Sequence, residues 1–444
     1  MQTGPDAGHV GVATTRPPEG WASRWKSGHA VGQVGLLGVL AYLAPAAAGT
    51  LRHWWWYLSG STPRALRNDF TLYWIFAHVG LDHGWDKLYD PAAQTAVYAV
   101  VGHHLQVFPL PYTPPMAWLV VPFATFDPHT GYVLWSAMVA ACVLVAWWLT
   151  TPHGLLVRLV LLAAMLGPYC VLLGLVNGQV IAVQVAAVAV AYWLLQRDRE
   201  LAAGLVLVLL ALRPQVLILV PVVLLLVGKR KAFVTWMAGT SVLVLASLAT
   251  LGATGTTAYL ARLKLTQTNP GLFWVSWYLS PWWVLRRHGY GWLAVPVTLV
   301  VLVAVAVVAW RFRHGGLEVP IAAATIGSLL TTPFLHLQDL SLLFLAAWLL
   351  LRARPAGWPV QLVIIIGCWA LARALTPGFG LGLAYSMLAL ELVWLASLVT
   401  LRPGLPPTSD GLTTAWEVGR PRQERPAAAM RRRHRVGVEA KEQE

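Results

Sequence analysis

What most constrains this chain is a succession of apolar stretches, most of them near the length a helix needs to cross hydrocarbon, separated by short polar turns. They fall at 31–50, 131–150, 155–173, 178–195, 201–212, 214–227, 232–252, 291–310, 317–333, 338–351, 357–375 and 381–401. With 57% of its 444 residues hydrophobic and 11% charged, the chain has too little polar surface to solvate one water-borne core. The runs lack the period-two alternation of a membrane barrel, so the spans are helices. The expected fold is an all-α polytopic membrane protein with about twelve transmembrane helices and a large first extracytoplasmic loop.

Charge sets the orientation. The net charge of +14 does not point to nucleic acid, because the cations sit in small clusters between apolar runs and in the tail. Arg197/Arg199, Lys229-Arg230-Lys231, Arg311/Arg313, Arg352/Arg354 and Arg431-Arg432-Arg433 all become cytoplasmic if the N-terminus does. This reading divides the chain into a cytoplasmic segment 1–30, a membrane domain 31–401 and a disordered basic cytoplasmic tail 402–444. Outside lie a first loop at 53–113, opening on the aromatic anchor Trp54-Trp55-Trp56, a second at 252–291 and a short turn near 331–338. Pro114 to Phe126 is read as half-inserted, since a full crossing would invert every later cluster. Arg213-Pro214 breaks the apolar run 201–227 into two short halves, a pattern that lines cavities. The three cysteines fall inside apolar runs without metal-ligand spacing and read as core residues.

The chain has 18 acids, and Asp69, Asp82, Asp86 and Asp90 lie in the first outer loop. Asp69 opens a segment through Ala77 whose aromatic and apolar residues recur at helical spacing, a short helix on the membrane surface. Asn68 and Asp69 are both favoured as its N-cap, so a capping role for Asp69 stands beside a chemical one. Tyr89 and Tyr112 belong to aromatic–proline segments that suit rigid turns or a binding wall. Asn177-Gly178-Gln179 sets two amides at the outer end of a span, suited to sugar hydroxyls or to joining helices. Arg213, at its helix break, needs a partner, and a phosphate is one that guanidinium recognises well. Arg262 and Lys264 add positive charge to the second outer loop. His336, Gln338 and Asp339 share one turn, where His336 either meets a substrate oxygen or pairs with Asp339. Arg373 and Glu391, in adjoining spans, read as a structural pair.

Taken in order, Asp69-Phe70 with Tyr73, Gly84 through Leu88-Tyr89-Asp90, Tyr112-Thr113-Pro114-Pro115, Asn177-Gly178-Gln179 and Arg213-Pro214 resemble glycosyltransferase family 87. That family belongs to the GT-C group of polyprenyl-phosphate-sugar-dependent mannosyl- and arabinofuranosyltransferases of actinobacteria. The resemblance implies that Asp69 is the catalytic base and that His336 lies in the active site. Arg213, Tyr112, Asn177, Gln179, Tyr89, Lys264 and Gln338 would then bind substrate. It implies a bacterial plasma-membrane enzyme that moves a sugar, mannose first among the candidates, from a polyprenyl-phosphate donor to a lipid or glycan acceptor at the extracytoplasmic face. Phosphate is already a good leaving group, so the reaction asks for no metal or other cofactor. One carboxylate acting alone implies direct displacement with inversion. The rival class is a transporter or lipid flippase, against which stand the missing repeat between halves, the scarcity of acids within spans and the length of the first outer loop.

Overall fold

A computed structural model describes residues 21–61, 66–102, 112–268, 279–333, 335–376, 378 and 380–402. The expected tail beyond Arg402, most of the segment 1–30, and His103 and His104 lie outside them. The described residues form helices and turns without strands. The helices are α1 Trp21–Leu58, α2 Asp69–His78, α3 Pro91–Val101, α4 Pro114–Ala124, α5 Pro128–Thr150 and α6 Leu155–Leu166. They continue as α7 Tyr169–Val176, α8 Ile181–Leu195, α9 Glu200–Leu207, α10 Leu219–Leu226, α11 Arg230–Thr268 and α12 Pro281–Arg287. The last are α13 Ala294–Arg311, α14 Glu318–Thr331, α15 Leu342–Ala353, α16 Trp358–Ala374 and α17 Leu381–Thr400.

Local chemistry decides where several of them begin. Asp90-Pro91, Thr113-Pro114, Asp127-Pro128 and Ser280-Pro281 each precede a helix with an extended residue and open it with proline, whose missing N–H would have no partner there anyway. In three of the four, the Asp or Ser side chain also accepts a backbone N–H of the first turn.

Five segments are long and apolar enough to cross a membrane: Gly32–Leu58, Pro128–Thr150, Arg230–Leu265, Gly291–Arg311 and Leu381–Thr400. A sixth forms if α6 and α7 count as one, but they meet at 78°. The stretch 155–173, expected to be a single span, is therefore broken, because Gly167-Pro168 interrupts it and Pro168 takes an extended backbone. The long helices keep most of their surface uncovered by protein, with only 11–33% of each apolar window buried. The central ones invert this pattern. Twelve of the 15 residues of α8 and twelve of the 14 of α14 are buried. A helix facing lipid must reach across the hydrocarbon, whereas one enclosed by other helices can stop where a protein-lined pocket begins. At 15 residues α8 is roughly 22 Å long, well short of a full crossing.

Contacts between elements show that the bundle has two chemically distinct ends. At one end Lys229 approaches Asp198 and Glu200, both at 3.7 Å, and Tyr192 and Gln196 bond Glu318 at 2.6 and 3.2 Å. Arg352 donates there to the Thr151 carbonyl at 3.1 Å, and Arg311 to that of Val399. The clusters at 197–199, 229–231, 311–313 and 352–354 therefore share one end. From it α8, α9, α10, α14 and α15 run to the opposite end, where Gln179, Arg213, Thr332 and Asp339 meet.

Two further local readings change. The region after Gly252 is helical to Thr268, but Gly252 itself is not (φ 59, ψ -169), so α11 is two helices joined across a kink there. Its distal half lies on the turn Trp85–Lys87, where the Asp86 carbonyl would sit 2.8 Å from a side chain at Gly255. Arg373 and Glu391 do not pair: Arg373 donates to the Gly167 carbonyl at 3.1 Å, while the buried Glu391 carboxyl has no hydrogen-bond partner among the described residues. Gly167, at the α6–α7 break, offers Arg373 a carbonyl instead.

Candidate functional site

Asp69 is the first residue of α2, and the cap belongs to its neighbour. Asn68 Oδ1 accepts from the Thr71 amide at 2.8 Å and from the Thr71 hydroxyl at 3.1 Å. Released from capping, the Asp69 carboxylate receives a hydrogen bond from Gln179 Nε2. The Oε1 atom of the same amide accepts from the Tyr73 hydroxyl at 3.4 Å, one helical turn after Asp69. A hydroxyl on the amide oxygen leaves the amide nitrogen to face the carboxylate. Tyr73, Gln179 and Asp69 thus form one chain.

The Asn177-Gly178-Gln179 turn is fixed by its surroundings. Phe70 N–H donates to the Asn177 carbonyl at 3.0 Å, Tyr132 to that of Val176 at 2.7 Å and Trp135 to that of Gly178 at 2.7 Å. Gly178 has φ +63, and a side chain there would come within 3.0 Å of the Trp135 ring and 3.2 Å of Phe70. Glycine is required on both counts. Asn177 contributes its backbone to this joint, and its side chain is half-buried.

Arg213 faces Asp69 across the site, at the break between the 3-10 turn 208–212 and α10. Its carbonyl is held by Gln184 Nε2 at 3.1 Å. The partner its charge requires is Asp339, which is fully buried and takes the guanidinium in a fork at 2.5 and 2.8 Å. Asp339 also accepts the His336 backbone N–H at 2.9 Å, so one carboxylate holds the arginine and shapes the histidine turn. Gln338 is buried in that turn beside Gly174 of α7.

Aromatic residues form the third wall. Tyr112 meets Tyr73 edge-on with ring centres 4.8 Å apart, and its carbonyl accepts from the Tyr89 hydroxyl at 2.5 Å. Tyr89 packs on Tyr259 of α11 at 4.8 Å and gives its carbonyl to Arg262 at 3.4 Å. Lys264, two residues on, is exposed. Beside Gln179 lies an apolar cavity of about 50 Å³ lined by Val143, Met165, Leu175, Phe344 and Trp348.

Electrostatics separate the two titratable candidates. Burial pushes the Asp69 carboxyl up from its ordinary 3.8 to about 7, with Arg213 pulling it down and the negative charge of Asp339 adding to the rise. His336 moves the other way. Burial lowers its imidazole, Asp339 partly opposes this and Arg213 adds to it, and the net result is a fall from 6.5 to about 4. At neutral pH the histidine is uncharged, while the aspartate is poised to exchange a proton.

Of the residues singled out in the sequence, the structure brings Asp69, Gln179, Arg213 and Tyr112 together, with His336 and Gln338 on the adjoining turn. Tyr89 stands behind Tyr112, Asn177 acts through its backbone, and Lys264 lies exposed on α11. Tyr73, Gln184 and the carboxylate of Asp339 belong to the site although none was counted among its residues. Asp339 carried a signal, being the one acid between Glu318 and Glu391. Gln184 carried none, as an amide in an apolar run reads equally well as a link between helices.

Long lipid-exposed helices around a buried core, with an acid, an arginine and amides gathered at one end, define a polytopic membrane protein with an enclosed polar site. Residues 110–336, half of the chain, match the profile of glycosyltransferase family 87, and the chain belongs to that family. It is a membrane glycosyltransferase. Comparison with curated proteins and with solved structures gave no match.

Proposed function

We propose that the chain transfers a sugar, mannose first among the candidates, from a polyprenyl-phosphate donor to a hydroxyl of a lipid or glycan acceptor, with inversion. The carrying observation is the Asp69 carboxylate, free of any capping duty, oriented by Gln179 and held near neutral pKa opposite Arg213. The acceptor oxygen attacks the anomeric carbon, Asp69 takes the hydroxyl proton, and the bond from anomeric carbon to phosphate oxygen breaks with its electrons leaving on the polyprenyl phosphate. Arg213 uses the N–H groups that Asp339 leaves open to meet the phosphate. Asp339 is tied to that arginine, so a single carboxylate remains for chemistry, which favours direct displacement over a double one.

The basic end of the bundle supports a cytoplasmic face there, with the site at the extracytoplasmic end of a bacterial plasma membrane. About twelve crossings follow if the short enclosed helices are counted with the long ones. The apolar cavity beside Gln179 supports a donor whose phosphate sits at the site and whose tail lies in hydrocarbon. Purified protein in nanodiscs, given radiolabelled polyprenyl-phosphate-mannose or its arabinofuranose equivalent and a membrane extract as acceptor source, should transfer label. Asp69→Asn should lose roughly a hundredfold or more of that rate while remaining folded. Transfer by Asp69→Asn at the normal rate refutes the base assignment, and lipid movement without label transfer supports a flippase instead.

A further inference from the structure

The short helix α12 holds two arginines that the transfer chemistry does not use. Ser280 caps it, accepting from the Trp283 amide at 3.3 Å, and Pro281 begins it. The guanidinium of Arg286 then lies over the Trp282 ring at 4.5 Å and that of Arg287 over Trp283 at 5.1 Å. Each pair is four residues apart, so the two stacks stand side by side. Trp283 is buried and Trp282 half-buried, while both arginines are exposed. The platform is anchored to the site end of the bundle. Leu279 N–H donates to the Leu335 carbonyl at 3.3 Å and Ser280 Oγ to that of Pro333 at 3.3 Å, both just before His336 in the chain. His288, next along, bonds the Tyr385 hydroxyl at 2.9 Å at the start of α17.

Among the described residues these cations meet no carboxylate. Neither forms an ion pair among the described residues, and the sequence has no acid at all between Glu200 and Glu318. Arginines at an extracytoplasmic membrane surface oppose the usual bias of positive charge toward the cytoplasm, and two adjacent ones repel each other. An anion from the surroundings offsets both costs. A guanidinium lying over an indole keeps N–H groups that can fork onto phosphate oxygens, and tryptophan is the residue that settles at headgroup level. We propose that Trp282, Trp283, Arg286 and Arg287 form a binding site for the phosphate of an anionic phospholipid in the outer leaflet, beside the transfer site. The assignment rests on the orientation given under Proposed function, but not on the transfer reaction.

Amide hydrogen exchange reports on this helix separately from the cationic clusters at the other end. The full chain is placed in nanodiscs of phosphatidylcholine with or without phosphatidylglycerol, and exchange is followed over residues 279–293. Phosphatidylglycerol should slow exchange there in the native protein. In Arg286→Gln/Arg287→Gln the slowing should disappear, with lipid affinity reduced about thirtyfold if each arginine contributes as a typical cation near an anionic surface. Peptides containing Lys229 and Arg313 should keep their own response, which shows that the variant is folded and that the loss is local. No effect of phosphatidylglycerol on the native helix, or an undiminished effect in the variant, overturns the proposal. Glycerol phosphate added to phosphatidylcholine discs separates the sources. Protection by it equal to that by the lipid would identify a soluble phosphate ligand and overturn the membrane assignment. Loss of sugar transfer with the lipid response intact would bear on the transfer reading alone.

Discussion

The carboxyl of Asp69 should set the pH dependence of transfer, and its neighbours should move that dependence in opposite directions. A base must be ionised to work. With a value of about 7, the working fraction of Asp69 rises roughly tenfold from about pH 6 to about pH 8. His336, lowered to about 4, is neutral across that window and adds no limb to it. Asp339→Asn removes a charge that raises Asp69 and leaves Arg213 to act on Asp69 alone, so the limb shifts to lower pH. Gln179→Leu removes a donor that favours the carboxylate, so the limb shifts to higher pH. A loosened site would blunt both profiles without moving them apart. Initial rates of label transfer, measured at saturating donor across the pH range, give the comparison directly. Shifts of the same sign, or a limb that persists in Asp69→Asn, would refute the argument.

The same shift has a stability consequence of fixed sign. Because the folded value is raised above the ordinary 3.8, the unfolded chain ionises first as pH rises. Stability from this group is complete below about pH 4, falls as pH rises to about 7, and is level above that. The gap between the two values corresponds to about 4 kcal/mol for a closed site, and the partial exposure of Asp69 lowers this to roughly 2 kcal/mol. Asp69→Asn, which cannot ionise, should therefore unfold at a higher temperature than the native protein at pH 7 and lose that advantage by pH 4. Inactivation accompanied by stabilisation is the opposite of what loss of a helix cap would give.

Three further outcomes follow from the geometry. Gly178→Ala should cost about 1–3 kcal/mol in thermal or denaturant unfolding and lower transfer, because φ +63 and the Trp135 ring both resist a side chain. Asp339→Ala should destabilise by roughly 3–5 kcal/mol, since it leaves a buried guanidinium unpaired, whereas Arg213→Met with Asp339→Leu should recover much of the stability without activity. A cysteine at position 229 should be unreactive to an impermeant thiol reagent in intact cells, while one at position 87 should label; the reverse pattern would invert the orientation.

Much of the architecture was legible because lipid imposes few solutions. Uninterrupted apolar runs could only be helices, and clusters such as Lys229-Arg230-Lys231 and Arg352/Arg354, far apart in sequence, do gather at one end. The break at Arg213-Pro214 was legible too, since proline cannot continue a ladder and the charge marks where the chain turns. The bend at Gly167-Pro168 carried the same proline signal but was hidden inside a run of the right length, where hydropathy outweighs backbone chemistry. Asp69 could be found as an acid at a helix start, yet only side-chain geometry separates it from Asn68, because both residue types cap equally well. The pairing of Arg213 with Asp339, 126 residues apart, depends on how α10 and α14 pack and leaves no local trace.

Helix length links the fold to the site. At 15 and 14 residues, α8 and α14 are roughly 22 and 21 Å long, shorter than the ~30 Å a spanning helix must cross. They pack against the longer α5 and α13, which have 23 and 18 residues. Enclosure of this kind is what lets burial dominate the titration of Asp69. Under the proposed function, a lipid-linked phosphate would enter sideways at the depth of its own headgroup, and an acceptor hydroxyl would come from the aqueous side. The short, enclosed central helices thus go together with the burial that raises the Asp69 carboxyl.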